Sequence, residues 1–415
     1  MSDTPQPLEV LLHGQHVGRI EWRGSNSRFR FSDEYVESDD RLVLGLSFEE
    51  DLRSATYGHD RLPTWFTNLL PEGQLRRLVA AELGLPLGSR QTLVDEVKMA
   101  SAIGHDMVGA AQLLPTSDTG EAWEPPAAMD VDTAASDGLL RFSLAGMGLK
   151  FSMIEDGQRF TAPAYGDAGD WIVKLPDQVF ASVPQNEFTM MNLARRVGIN
   201  VPPVRLVHRD EVEPLPDRLW SGESYAYAVE RFDRGEGRAP IHVEDLAQVR
   251  SFVPDNRYAG TFETVARLFY RGRDLESLTE FTRRLAFNMV IGNSDAHLKN
   301  WSLIYPDGRV PRISPAYDLV SVVVYRRPGL AHDLGLKFAG HKKYEDLRFS
   351  YFDRLERKLG LSGVGLREIA ESIVEAVVAQ LDSVLDDLPE AHRLGLRAHV
   401  QAMPDVLAKP NHPNY

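Results

Sequence analysis

The stretch Asn288–Ser321, NMVIGNSDAHLKNWSLIYPDGRVPRISPAYDLVS, sets the expectations for the fold of this 415-residue chain. An apolar helical run ends at a glycine, and the loop NSDAHLKN follows it. WSLIY and RVPRIS then predict a short hairpin that turns at residues 306–308, because Pro-Asp-Gly is a strong turn signal. This hairpin returns Asp318 to the neighbourhood of Asp295 and Asn300. Two carboxylates and an amide oxygen are therefore expected at one point.

Those three side chains suit Mg²⁺, which prefers hard oxygen ligands and usually combines a few protein groups with phosphate oxygens. Asp295-Ala-His-Leu-Lys-Asn300 also has the spacing of a protein-kinase catalytic loop, in which the Asp accepts a proton from the substrate hydroxyl. In such a loop the Asn shares the metal with a later Asp, here Asp318. Lys299 is either a contact to the γ-phosphate or an ordinary surface lysine. His297 has no second histidine at ligand spacing, so zinc is not expected.

The pattern alone is weak, because Asp and Asn also occur in loops as turn caps. A kinase further needs glycines that let backbone N–H groups approach phosphates, and FSLAGMGLKFSM supplies Gly146 and Gly148 between two strand-like pieces. It also needs a strand lysine for the α- and β-phosphates and a helical acid that orients it. WIVKLP provides Lys174, and the predicted helix NEFTMMNLARRVGI provides Glu187.

A predicted hinge follows in YAVERFDR, where the backbone around Glu230 and Phe232 can hydrogen-bond to adenine. Beyond it, Glu244 and Asp245 either cap a helix or bind substrate. Each of these elements has a simpler explanation as a hairpin, a surface lysine or a helix start. Their joint occurrence, in the chain order that a kinase requires, is what favours the kinase interpretation.

The chain divides into a β-rich N-terminal section at 1–115, a linker at 116–138 rich in Pro, Ser, Thr and acidic residues, a strand-and-helix section at 139–236, and an almost wholly helical section at 237–415. A chain of this length exceeds one comfortable core, so several packed units are expected. A β-rich part leading into a helical lobe predicts a cleft between them.

Composition limits the function. The formal net charge of -14 argues against direct DNA binding, which depends on neutralising phosphates, so any DNA role needs a basic partner. The chain contains no cysteine, which excludes disulfides and thiol nucleophiles. We find neither a secretory signal nor an apolar run that approaches the roughly 20 residues of a membrane span. The sequence thus predicts a cytoplasmic protein without a membrane association.

These motifs together carry a family resemblance. The segments SLAGMGLKFSM, IVKLP, NEFTMMNLARRVGINVP, YAVERFDR, GNSDAHLKNWSL and SPAYDLVS resemble the signature set of HipA-type toxin kinases, and FTNLLPEGQLRRLVAAELGL resembles the first subdomain of that family. The resemblance covers nearly the whole chain. It implies a bilobal α+β kinase fold, distantly like the phosphatidylinositol 3/4-kinases, with an all-helical C-terminal lobe. It also implies ATP and Mg²⁺ as cofactors and transfer of phosphate to a protein Ser or Thr.

The resemblance implies a role for each matching residue. Asp295 is the base, and Asn300 and Asp318 are the metal ligands. The residues implied to contact the nucleotide are Gly146, Gly148, Lys150, Lys174, Glu187, Glu230, Phe232, Asp233 and His297, with the last two near the ribose. Ser143 matches the serine that becomes autophosphorylated in the family. Gly148 stands where the family usually has glutamine, which implies a more mobile phosphate loop.

The family also suggests partners. The implied substrate is an aminoacyl-tRNA synthetase, whose phosphorylation arrests growth, and the implied partner is a HipB-like helix-turn-helix antitoxin that contacts operator DNA on behalf of the acidic toxin. Two alternatives stay open from the residues. One is a small-molecule phosphotransferase with the same Asp-x-x-x-x-Asn layout, although LLPEG is not expected there. The other is a catalytically weak or inactive scaffold that acts as co-repressor with its antitoxin.

Overall fold

The computed structural model describes residues 6–87, 91–116, 149–157, 159–163, 168–325 and 333–410. The glycine loop with Ser143, Gly146 and Gly148, and the predicted linker beyond residue 116, lie outside the described residues.

The N-terminal region is built on one antiparallel sheet with strand order β4-β3-β2-β1-β5. Its elements are β1 (Leu8–Leu12), β2 (Gln15–Arg23), β3 (Asn26–Phe31), α1 (Asp33–Glu37), β4 (Thr56–His59), α2 (Thr64–Thr67), α3 (Gly73–Glu82), α4 (Leu93–Ile103) and β5 (Ala111–Pro115). His13 and Gly14, at φ +49° and +75°, form the two-residue turn between β1 and β2, as hairpins of this length require. Gly84, at φ +61°, follows the end of α3 in the left-handed conformation that glycine commonly adopts there.

The middle region is a second five-stranded antiparallel sheet, in the order β7-β6-β8-β10-β9. Its elements are β6 (Lys150–Asp156), β7 (Arg159–Thr161), β8 (Trp171–Lys174), α5 (Val183–Arg196), β9 (Val204–His208) and β10 (Tyr225–Glu230). Helix α5 belongs to this region by sequence, yet Met190, Met191 and Leu193 on its buried face join the apolar core of the C-terminal region. The helix therefore ties the sheet to the lobe beneath it.

The C-terminal region is mostly helical, but the prediction that it is all-helical was wrong. Its elements are β11 (His242–Asp245), α6 (Leu246–Val249), α7 (Phe262–Tyr270), α8 (Leu275–Ile291), β12 (Ser302–Tyr305), β13 (Arg312–Ile313), β14 (Asp333–Phe338), β15 (His341–Lys343), α9 (Ser350–Lys358), α10 (Leu366–Gln380) and α11 (Glu390–Ala408). The β12–β13 hairpin was predicted, whereas β11 and the β14–β15 hairpin were not. Strands of three to six residues give too few alternations for a period-two signal.

Helix α8 runs through the middle of the C-terminal core. Thirteen of its 17 residues are buried, and α10 lies against it with a buried stripe of Leu366, Ala370, Ile373, Val374 and Val377. That stripe is core packing, as expected from its helical spacing. Because α8 is packed on nearly every side, the loop that follows its C-terminus starts from a fixed point. Across the residues that the structure covers, no helix is long and apolar enough to cross a membrane.

Candidate active site

A lysine and two carboxylates meet where the middle sheet faces the C-terminal lobe. Lys174, the last residue of β8, places its Nζ 2.5 Å from Oε1 of Glu187 on α5 and also donates to Oδ1 of Asp318. Lys150 on β6 is the register partner of Lys174, so both lysines project from the same face of the sheet. The structure thus brings together the predicted phosphate lysine, its orienting acid and the predicted metal aspartate.

Burial and charge set the protonation of this cluster. Burial alone would lower the pKa of Lys174, but the carboxylates of Asp318 and Glu187 raise it above its ordinary value. Burial would likewise raise the pKa of Asp318, yet Lys174 and Lys150 lower it to about 2. For Glu187 burial prevails and raises the pKa to about 7. Asp318 is therefore ionised at neutral pH and Lys174 is charged.

Asp318 adopts a backbone conformation that is common for glycine and rare for other residues. Its φ is +55°, in the left-handed region where Asn and Asp are better tolerated than other side chains. The carbonyl of Asp318 accepts a hydrogen bond of 3.4 Å from Nδ2 of Asn293 in the catalytic loop. This bond joins the segment after β13 to the loop after α8, so the two predicted metal-binding segments are held against each other.

The predicted catalytic loop begins where α8 ends at Gly292, at φ +68°. A Cβ at this position would lie 2.3 Å from Cγ1 of Val323, so only glycine fits. Asn293 then shapes the turn, because its Oδ1 accepts from the Asp295 N–H at 3.0 Å and its Nδ2 donates to Oδ1 of Asn288 at 2.7 Å. Asn293 was not identified from the sequence. The available signal was the residue type, because asparagine side chains in turns commonly accept from the backbone N–H two residues later.

Asp295 is exposed to solvent, and Tyr258 donates a hydrogen bond to its Oδ1. The side-chain amide of Asn300 donates to the Asp295 carbonyl at 3.0 Å, which fixes the two residues relative to each other. The pKa of Asp295 is raised, first because protein atoms surround the carboxyl group and second because Asp318 is negatively charged. The hydrogen bond from Tyr258 opposes that rise. Tyr258 had no signal in the sequence, since it lies 37 residues before Asp295.

The donor set fits a magnesium ion. Asp318 is ionised, Asn300 offers an amide oxygen, and both are hard ligands of the kind that Mg²⁺ takes together with phosphate oxygens. Within the described ranges, no cluster of three or more His, Asp or Glu side chains is arranged for a metal, so an all-protein cage of such side chains is absent there. Two protein ligands with the remaining positions open to phosphate and water is the arrangement expected of a nucleotide-bound Mg²⁺.

His297 is buried in the same loop, and its ring makes an edge-to-face contact with Tyr258 at a centroid distance of 5.0 Å. Burial and the charges of Arg257 and Lys299 lower its pKa to about 3, although Asp318 acts in the opposite direction, so the ring is neutral at physiological pH. Its Nδ1 has no hydrogen-bond partner within the described residues. That nitrogen is buried, so the predicted contact of His297 with the ribose stays a prediction.

The predicted hinge lies at the end of β10. The N–H of Glu230 donates to the Pro203 carbonyl at 3.0 Å, whereas no hydrogen bond among the described residues uses the N–H of Phe232. The Phe232 ring packs against Tyr317 at 5.7 Å, and the Tyr317 hydroxyl donates to the Lys299 carbonyl at 2.9 Å. The Phe232 N–H is therefore not used by another described residue, and Tyr317 links the hinge to the loop that follows α8.

Asp233 is not where the ribose prediction requires it. It is 4% exposed, and its carboxylate accepts from Arg231, Arg234 and the Gly109 N–H, at distances between 2.8 and 3.1 Å. Burial would raise its pKa, but the two arginines lower it to about 2. Arg231 and Arg234 also bind Asp106 of the N-terminal region. Asp233 thus joins the hinge to that region, and its carboxylate is buried among protein donors.

Lys299 fits neither of its predicted alternatives. It is 8% exposed, which excludes an ordinary surface lysine, and its Nζ binds Asp245 and Asn68 instead of pointing into the cleft. Asp245 also accepts from the N–H groups of Ala247 and Gln248, so the helix-capping alternative holds for it. Glu244 does neither of the things predicted. It is fully buried and accepts from the Leu46 N–H, Trp65 and Tyr305.

Models of known protein families match both the N-terminal region and the rest of the chain. A family model described as the HipA-like C-terminal domain matches residues 142–384, and one described as the HipA N-terminal domain matches residues 8–114. The chain belongs to the HipA family. The family resemblance predicted from the sequence is thereby confirmed, and so is the α+β class.

Relatives of this HipA protein extend over most of its length. "Putative kinase Y4dM" of Sinorhizobium fredii is 36% identical over 396 residues, covering 93% of this chain and 94% of that protein. The serine/threonine-protein kinase toxin HipA of Shewanella oneidensis is 27% identical over 370 residues, covering 80% and 79%. The structure of Shewanella oneidensis HipA in complex with HipB and operator DNA superposes with a TM-score of 0.71 at 22% identity, covering 96% and 97% of the two chains. That superposition shows a shared fold.

Proposed function

We propose that this HipA protein is an ATP-dependent serine/threonine-protein kinase. The observation that carries the proposal is the meeting of Lys174, Glu187 and Asp318 beside Asp295. A lysine paired with a helical acid, a metal aspartate and a base are the parts that phosphoryl transfer requires. Names of relatives that include kinase, over nearly the full length, support the same conclusion.

Each residue has a role in an in-line transfer of the γ-phosphoryl group. Asp295 accepts the proton of the acceptor hydroxyl, and its raised pKa makes it a stronger base than an ordinary carboxylate. Lys174 binds the α- and β-phosphates and is oriented by Glu187. Mg²⁺ held by Asn300 and Asp318 would neutralise charge on the phosphate oxygens. The N–H of Phe232 binds adenine, and Lys150 approaches the phosphates from β6.

The acceptor is proposed to be a serine or threonine of a protein, with an aminoacyl-tRNA synthetase as the first candidate because of the family resemblance. Ser143 is proposed as the site of autophosphorylation. A HipB-like antitoxin is the proposed partner, supported by the shared fold with a HipA that was solved with HipB and operator DNA. The net charge of -14 supports indirect contact with DNA through that partner. Transfer to protein would arrest growth until the antitoxin binds.

The test is transfer of labelled γ-phosphate from Mg-ATP to protein in extracts, comparing wild type with Asp295→Asn. The substitution should lower transfer by about 10²- to 10⁴-fold, the usual contribution of a catalytic base, and should leave ATP affinity nearly unchanged. Asp40→Asn, which removes an exposed carboxylate far along the chain from the loop, serves as the control and should behave as wild type. Equal transfer by wild type and Asp295→Asn would exclude this assignment of the base.

A further inference from the structure

A carboxylate of the N-terminal region reaches the catalytic loop. Glu72, in the segment LLPEG just before α3, is 7% exposed. Its Oε2 lies 2.6 Å from Nη1 of Arg257, and its Oε1 lies 3.6 Å from Nζ of Lys299. A buried carboxylate that is 185 or more residues away in sequence from both partners is placed there by the fold of the whole chain.

Lys299 is the first of the two cationic residues beside Glu72, which lies at ion-pair distance from its Nζ without a hydrogen bond to it. Its Nζ donates to the Asn68 carbonyl at 3.0 Å and to Asn68 Oδ1 at 3.1 Å, and it contacts Asp245 Oδ2 at 2.6 Å. Asn68 also donates to the Phe252 carbonyl at 2.8 Å, which fixes it to the C-terminal lobe. An ammonium group has three protons, and these contacts use all of them. Lys299 is therefore committed to the N-terminal region, and it directly precedes the proposed metal ligand Asn300.

Arg257 is the second residue. Its carbonyl accepts a hydrogen bond of 3.0 Å from the N–H of Leu298, so its backbone supports the catalytic loop from outside. The next residue, Tyr258, donates to the proposed base Asp295. A displacement of Arg257 would thus move both the support of the loop and the hydroxyl that orients Asp295. Glu72 contacts the catalytic loop directly at Lys299 and indirectly through Arg257.

We infer that Glu72 is a positioning residue for phosphoryl transfer, through which the N-terminal region holds the catalytic loop in its active geometry. This inference rests on the proposed kinase function and deepens it, because it makes the N-terminal region part of the catalytic unit. Loss of the Glu72 charge leaves the Arg257 guanidinium, whose side chain is 11% exposed, without this counter-ion, so that side chain turns toward solvent and releases the loop. A shift of about 1 Å at reacting groups lowers turnover by up to ~10²-fold.

The test compares Glu72→Gln with Asp40→Asn. Both substitutions remove an acidic partner from an ion pair between the N- and C-terminal regions, but the Asp40–Arg309 pair of 2.6 Å lies on the surface and outside the catalytic loop. Glu72→Gln should lower kcat about 10- to 100-fold, with KM for ATP within about 2-fold of wild type, because the hydrogen bonds of Lys174 are made to Glu187 and Asp318 and do not include Glu72. Amide hydrogen exchange in peptides covering 293–301 should accelerate in Glu72→Gln alone.

Glu72→Asp keeps the charge but withdraws the carboxylate by one methylene, and it should give intermediate kcat and intermediate exchange. If Glu72→Gln does not fold, this variant decides. Wild-type kcat and wild-type exchange in the folded variants would overturn the inference, as would an equal loss in Asp40→Asn. If wild-type protein transfers no phosphate, the proposed function fails, and the exchange of 293–301 still decides whether Glu72 positions the loop.

Discussion

The hydroxyl of Tyr258 donates a hydrogen bond to Oδ1 of Asp295, the proposed catalytic base. An acceptor serine or threonine would make the same kind of bond to the same carboxylate. Tyr258 is 45% exposed, so its side chain can leave without breaking the core. The tyrosine therefore both orients the base in the free protein and occupies one of its two oxygens until an acceptor arrives.

Tyr258→Phe should shift the acid side of the pH–rate profile to higher pH. A hydrogen bond to a carboxylate stabilises its ionised form and lowers its pKa, and the bond from Tyr258 has that effect on Asp295. Without the bond the pKa of Asp295 rises, so a larger fraction is protonated and inactive as the pH falls. The measurement is kcat/KM for the acceptor from pH 5 to 8. A profile that is unchanged or moves to lower pH would contradict the assignment.

Asp318→Asn should abolish the effect of Mg²⁺ on nucleotide binding while keeping the backbone. Asn tolerates the left-handed conformation at φ +55° nearly as well as Asp, so the fold should be retained. The substitution removes an ionised ligand whose pKa is about 2. We expect ATP affinity in the variant to be nearly the same with Mg²⁺ and with EDTA, and phosphate transfer to fall by at least ~10²-fold. Calorimetric titration checks the binding, and Mg²⁺-dependent tightening like that of wild type would exclude Asp318 as a ligand.

Glu244→Gln should change the pH dependence of stability between about pH 4.5 and 7. Burial raises the pKa of Glu244 to about 7 in the folded protein, against its three hydrogen-bond donors. Between these pH values the folded state therefore keeps a proton that the unfolded state releases. The stabilisation from this group is complete below the ordinary pKa of glutamate, and it is lost as the pH rises through the pKa of Glu244 in the folded protein. The unfolding free energy of the variant relative to wild type should rise by about 1–3 kcal/mol across this window. Urea unfolding at several pH values measures it, and a constant difference would refute it.

Gly292→Ala should destabilise the protein by about 2–4 kcal/mol, from the left-handed backbone and from the clash of the new Cβ with Val323. Gly84→Ala is the matched control. Gly84 also has a positive φ, +61°, but nothing lies within 4 Å of its Cβ position, so only the backbone term of about 1–2 kcal/mol remains. Equal losses in the two variants, measured by denaturant unfolding, would show that the Val323 contact is unimportant.

The sequence predicted the parts of the site that lie close together along the chain. The helix ending at Gly292, the hairpin at 306–308 and the return of Asp318 each have a local signal, because turn residues and helix periodicity act over a few positions. Lys174 and Glu187 were found for the same reason, since a strand and the following helix set their spacing. The structure brings these residues together as that local pattern requires.

The sequence could not show contacts that tertiary packing creates. Asp233 was predicted near a ribose, but its carboxylate accepts from the Gly109 N–H, 124 positions earlier in the chain, and no periodic signal links the two residues. Lys299 was predicted at the γ-phosphate or on the surface, but its Nζ donates to the carbonyl of Asn68 in the N-terminal region instead. Short strands such as β11 lie between helices and contain too few residues to give a recognisable alternation of apolar and polar side chains. In each case the missing information was which distant segment packs against the residue.

The most direct test of the kinase assignment is the intact mass of purified wild-type protein before and after incubation with Mg-ATP, beside Asp295→Asn. We predict a gain of one phosphate in wild type, located at Ser143 by peptide mapping, and no gain in the variant. An unchanged mass in a wild-type protein that still binds Mg-ATP, or an equal gain in Asp295→Asn, would contradict the account.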